Sequence, residues 1–113
     1  MKDAVEFTDF REFKLVAIDG PVEGLSERII FKSPDGDLAR ILEFAPGTDT
    51  SPNGVQVHDY REELFIIEGS VTDLTLGETF TEGMVASRPP GMKHGPWKTE
   101  SGCVMYEIRY FKN

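Results

Sequence analysis

The sequence is poor in cysteine, histidine and basic residues, and it has no long apolar run. A single cysteine, Cys103, among 113 residues excludes an internal disulfide framework. Twelve Lys and Arg against twenty Asp and Glu leave a formal charge of −8. Nucleic acid and anionic membranes both require a basic face to release counterions, so neither is expected as a partner. No stretch approaches the roughly 20 apolar residues of a membrane helix. The segment Met1 to Phe10 carries Asp3 and Glu6 where a secretory leader would need apolar residues, which makes a reducing cytoplasm the expected location. Heptads, internal repeats and low-complexity tracts are also missing, and the length allows one core rather than two.

What is present is punctuation. Eleven glycines and seven prolines interrupt short segments rich in Val, Ile, Phe and Tyr, the pattern of an all-β sandwich or barrel. Glu27 to Lys32 and Leu38 to Phe44 flank Ser33-Pro34-Asp35-Gly36-Asp37, a hairpin turn in which Pro presets φ and Gly can take the left-handed position. Further strands are predicted at Val55 to His58, Glu62 to Ile67, Val71 to Leu76, Met84 to Ser87 and Cys103 to Tyr110, with turns at Asp59 to Arg61, Glu68-Gly69, Gly77-Glu78 and Pro89 to Gly91. In the last strand Val104, Tyr106, Ile108 and Tyr110 make a greasy face, while Cys103, Met105, Glu107 and Arg109 make a mixed one. Residues 1 to 26 read as an N-terminal arm or edge strands and residues 27 to 113 as the barrel of a single domain.

The two histidines of the chain fall in two spaced patterns. Gln56, His58, Glu62 and Gly69 read Q-x-H-x3-E-x6-G, and Gly83, Pro89, Gly91, His94 and Lys98 read G-x5-P-x-G-x2-H-x3-K. Side chains two apart on a strand project the same way, so Gln56 and His58 share a face, and after the turn Glu62 faces them while Glu63 faces out. Pro89-Pro90-Gly91 is a rigid turn able to deliver His94 from a distant strand. Two imidazoles and one carboxylate form the facial set of non-haem iron and also suit manganese, nickel or zinc. Gln56 is either a weak ligand through its amide oxygen or a hydrogen-bonding neighbour. Lys98 either meets an anionic substrate group or is a solvated strand-end lysine. Glu107 and Arg109 are candidate substrate contacts if their face lines the barrel, and a surface ion pair if it does not. Trp97 reads as packing, and Cys103 as a small core residue, since no basic neighbour or helix start would depress its pKa.

The two patterns resemble the paired motifs of the cupin superfamily, with Gln56 in place of the first metal-binding His and Lys98 in place of the motif Asn. The run Arg88 to Trp97, followed by Gly102-Cys103-Val104, resembles the branch containing the C-terminal domain of zinc-dependent anti-sigma factors and small dioxygenases of diketones and hydroxylated aryl ketones. The resemblance covers roughly residues 38 to 110. It implies a double-stranded β-helix, a jelly-roll (RmlC-like) barrel that is usually dimeric, and a metal site of Gln56, His58, Glu62 and His94. A divalent transition metal is implied, iron first and Zn, Mn or Ni as alternatives, with a small molecule as ligand or substrate. The expected function is a metal-dependent enzyme, dioxygenase-type or isomerase, acting on a small oxygenated organic molecule against an apolar wall of Leu64, Ile66 and Met84. The substitution at Gln56 keeps a non-catalytic binding or sensing role as the alternative, because fold alone does not assign function.

Overall fold

The computed structural model describes residues 4–111, so Met1 to Asp3 of the N-terminal arm lie outside the described residues. Eight strands carry the fold: β1 (Val16–Ala17), β2 (Leu25–Lys32), β3 (Leu38–Phe44), β4 (Arg61–Asp73), β5 (Glu78–Thr81), β6 (Val85–Arg88), β7 (Trp97–Lys98) and β8 (Cys103–Tyr110). Every pairing is antiparallel, in the order β1-β2-β3-β8-β4-β5, with β6 and β7 also paired to β4. The sheet curls into the jelly-roll expected from the short, punctuated strands. Among the described residues the only helical pieces are 3-10 turns at Phe10–Glu12 and Ser51–Asn53. None is long or apolar enough to cross a membrane.

The β2–β3 hairpin forms at the predicted turn, where Ser33 N–H donates to Asp37 O at 2.9 Å and Gly36 takes φ 96°. β8 also forms with the predicted limits. Its burial alternates, and the inward face is the mixed one: Cys103, Met105 and Glu107 are buried while Ile108 on the other face is exposed. The greasier face of β8 therefore lies outside and the polar one faces the interior.

Three strand assignments change. Glu62 to Ile67 and Val71 to Leu76 are not two strands about a turn, because β4 runs unbroken through Gly69. The register against β8 shifts between Ile66 and Glu68, and Gly69 sits at φ 83°, so the expected turn is a bulge. That bend lets one strand serve both halves of the barrel: Glu62 to Phe65 pair with β6, and Ser70 to Asp73 pair with β5. Val55 to His58 is not a strand. Only Gln56 bridges, to His94, because the Pro52-Asn53-Gly54 turn before it and the Asp59–Tyr60 bend after it leave no room for a ladder. Finally β5 and β7 are new; each has four residues or fewer, too short for periodicity to register, while β1 is an edge strand within the N-terminal arm or edge-strand segment.

The core is a cluster of Phe44, Ile66, Val71, Cys103 and Met105, with Leu25, Leu42, Leu64, Phe80 and Trp97 packed on it. Most of these side chains also line a cavity of about 320 Å³ whose wall runs on to His58, Glu62 and His94.

Candidate metal centre

Glu62 is the second residue of β4 and points inward, His58 precedes that strand on the loop, and His94 arrives on the β6–β7 loop. The two loops are tied together. Gln56 N–H donates to His94 O at 2.7 Å, His94 N–H donates to Gln56 O at 3.0 Å, and Gly91 N–H donates to His58 O at 2.8 Å. Buried Asp73 fixes the far side of the His94 loop by accepting from the Gly95 N–H at 3.2 Å, while its other oxygen accepts from the Thr75 and Leu76 N–H groups. His58 stacks on Tyr60 at 4.4 Å and 13°, and the Arg109 guanidinium lies 4.2 Å from the Tyr60 ring centroid.

This scaffold brings one ligand atom each from His58, Glu62 and His94 within 4.8 Å of one another. The His58 and His94 Nε2 atoms are 3.1 Å apart and His94 Nε2 is 3.9 Å from Glu62 Oε1. Metal–nitrogen bonds of about 2.1 Å at a right angle put their nitrogen atoms about 3.0 Å apart. The imidazole pair matches that spacing, and the group could hold a metal ion.

The electrostatics suit the same use. Burial, reinforced by Arg88 and His58, pushes the His94 pKa down to about 4, and burial with Arg109 lowers that of His58. Both rings are thus neutral with lone pairs available at pH 7. The Met92 backbone moderates the shift on His94 but makes no well-formed hydrogen bond to its Nδ1, which is buried without a partner. Glu62 is pushed up to about 7 by burial and by the neighbouring Glu107 carboxylate. Burial alone would also raise Glu107, but the Arg40 and Arg109 charges outweigh it and hold that carboxyl low. The pair therefore holds one proton near neutrality, on Glu62.

The remaining predicted residues divide. Gln56 lines the cavity, with its amide nitrogen held by the Asn53 carbonyl at 2.8 Å. Glu107 and Arg109 line it too, and their 3.0 Å ion pair belongs to the interior rather than the surface. Leu64, Ile66 and Met84 form part of the wall, as expected. Of its two readings Lys98 takes the solvated strand-end one: it is exposed at the end of β7, in register with Thr72 and Asp49, and is not part of the cavity wall. Its neighbour Trp97 takes the inward position instead, both packing on the core and lining the cavity. Glu63 faces out and accepts from the Tyr110 hydroxyl at 3.0 Å.

Sequence reasoning missed Tyr60, Arg40, Arg88 and Asp73. Arg88 was recoverable from parity, since it is antiparallel to Glu62 across β4 and β6. Asp73 carried a local signal, an Asp two residues before a Thr and four before Gly77, the pattern of an Asx turn.

No protein-family model and no curated protein matches the sequence. Solved structures do match. The polyketide cyclase RemF from Streptomyces resistomycificus superposes with a TM-score of 0.75 at 18% identity, covering 96% of this chain and 81% of that one. An acetylacetone dioxygenase from Acinetobacter johnsonii gives 0.74 at 16%, covering 94% and 74%. An RmlC-like cupin from Shewanella frigidimarina gives 0.71 at 19%, covering 96% and 93%.

Proposed function

From a cupin fold carrying a His-Glu-His group in which Glu62 and His94 are buried and His58 half-buried, we propose a metal-dependent enzyme acting on a small oxygenated organic molecule, by a dioxygenase-type reaction or an isomerisation. The observation that carries this reading is the 3.1 Å approach of the two imidazole Nε2 atoms beside the Glu62 carboxylate, at the wall of a largely apolar cavity. The similarity to an acetylacetone dioxygenase and a polyketide cyclase supports it at the level of fold.

His58, Glu62 and His94 would hold the metal, with the Gln56 amide oxygen as a candidate fourth ligand. Iron is the first choice because two histidines and one carboxylate leave a face open, the arrangement of non-haem iron sites; manganese, nickel and zinc suit the same atoms. When bound, the metal supplies Lewis acidity toward a substrate oxygen and, if iron, reactivity toward dioxygen. The chain does the rest. The Tyr60 stack keeps the His58 ring from turning, and the Gln56–His94 bridge fixes the distance between the two imidazoles. Leu64, Ile66 and Met84 give the cavity an apolar wall, and Glu107, held ionised by Arg40 and Arg109, fixes those two side chains beside Glu62.

Iron-loaded protein should consume oxygen with an enolisable diketone or a hydroxylated aryl ketone, or isomerise such a compound anaerobically, and Glu62→Ala should abolish either. A metal-loaded protein that turns over no member of such a panel, yet is stabilised by one, would favour a binding or sensing role. The neutral Gln56 at a cupin histidine position is the observation behind that second reading.

A further inference from the structure

Three guanidinium groups line the cavity, and they are unequally partnered. Arg40 is saturated. Its Nε and one Nη meet Glu107 Oε1 at 2.9 and 2.7 Å, and its other Nη meets Glu27 at 2.6 Å. Arg109 gives one Nη to Glu107 at 3.0 Å, and its Nε is buried with no partner. The polar contact of Arg88 is a loose 3.6 Å approach to Glu62; otherwise it covers the Trp97 ring at 4.8 Å. A guanidinium has five N–H donors, and buried donors are normally matched with acceptors. Arg88 and Arg109 are short of acceptors where Arg40 is not.

Register explains how they are placed. Glu62 on β4 is paired with Arg88 on β6 and with Arg109 on β8, so the two arginines flank it in one row on the cavity face. Glu107 is shared between Arg40 and Arg109, and Arg40 also meets Glu27, which leaves Arg88 with only the loose Glu62 contact and Arg109 with one oxygen of Glu107. If Glu62 turns its oxygens to a metal, even that contact of Arg88 is drawn away. Partly buried guanidinium donors without close acceptors, inside a chain of net charge −8, are a recognition feature for an anion. Leu42, Phe44, Ile66, Phe80 and Met105 supply the apolar part of the wall.

We infer that the cavity takes a small organic acid, its carboxylate held chiefly by Arg88 with Arg109 on the other flank, and its apolar body lying against Phe44, Ile66 and Phe80. The inference names the substrate class of the proposed enzyme, and for the reacting end of that acid it rests on the metal reading; the arginine pair does not depend on a metal.

The test is calorimetric binding of benzoate, phenylacetate, 4-methylpentanoate and phenylpyruvate, each beside its methyl ester, to wild type, Arg88→Gln and Arg88→Lys, with and without added iron(II) under anaerobic conditions. At least one acid should bind about tenfold or more tightly than its ester, since a hydrogen-bonded charge carries about that much. Arg88→Gln should erase the preference, and Arg88→Lys should keep part of it. Equal binding of acid and ester, no binding by any acid, or an unchanged preference in folded Arg88→Gln would overturn the inference. If Arg88→Gln does not fold, the acid–ester comparison on wild type decides. An acid preference in protein that binds no metal upholds the arginine site and removes the metal reading; iron binding without an acid preference does the reverse.

Discussion

A carboxyl group that must lose a proton before it can bind a metal leaves a signature in pH. Glu62 is pushed up to about 7, whereas His94 is pushed down to about 4 and His58 is also lowered. At pH 6 His94 is already neutral, the lowered pKa of His58 favours its neutral ring, and Glu62 still holds its proton, so Glu62 should be the main source of a proton released on metal binding there, with almost none released at pH 8. Calorimetry in buffers of different ionisation enthalpy measures this directly; release of two protons at pH 6 would mean that the histidines were charged. The same shift has a stability sign. Between pH 4.5 and 7 the native state binds a proton that the unfolded chain has given up, so the metal-free fold loses stability as pH rises through that window. Above it the burden of a buried carboxylate is fully present. Glu62→Gln removes this burden, and in chelator at pH 8 it should raise unfolding stability by on the order of 2 kcal/mol, with no gain at pH 4.5. A urea titration at the two pH values checks both halves. Asp73, which accepts from Gly95, Thr75 and Leu76, should cost about 2–4 kcal/mol when changed to Ala and should weaken metal binding through His94 without touching a ligand.

Among the elements, β4 decides the architecture, and Gly69 decides β4. A Cβ at Gly69 would collide with the carbonyl oxygen of Gly102, and the residue sits at φ 83°, so Gly69→Ala combines a backbone clash with left-handed strain. Gly77 has a similar φ, 71°, but open space around it. Denaturant unfolding should therefore show about 3 kcal/mol or more lost for Gly69→Ala and about 1 kcal/mol for Gly77→Ala. Equal losses would mean that φ alone, not the close strand approach, sets the cost. The same residue marks the limit of what the sequence discloses. Glycine after a charged residue reads as a turn, and only a partner strand can convert a turn into a bulge; that partner, β8, lies more than 30 residues away. The long strands β2, β3 and β8 were legible because each carries its own alternation between clear stops. The short β5 and β7 exist through their neighbours and leave no local trace.

For the whole molecule, the histidine and glutamate positions were legible because spacing survives in sequence, and the barrel brings His58, Glu62 and His94 together accordingly. The cationic side of the cavity was less so, since Arg40, Arg88 and Arg109 converge from β3, β6 and β8 and no local pattern links them. The motif position of Lys98 left both its readings open, and only the strand parity that turns Trp97 inward decides for the solvated one. Because the proposed ligands join β4 to two loops, metal should stabilise the fold as well as the site. At a hundredfold excess over Kd, linkage gives about 2.7 kcal/mol, or a Tm increase of roughly 10 °C that chelator removes. The measurement that reaches the central claim most directly is elemental analysis of untagged protein purified without chelators, beside folded His94→Ala. The account predicts close to one equivalent of iron, manganese, nickel or zinc in the wild type and a loss of most of it in the variant. No metal in the wild type after anaerobic reconstitution, or equal metal in both proteins, would contradict it.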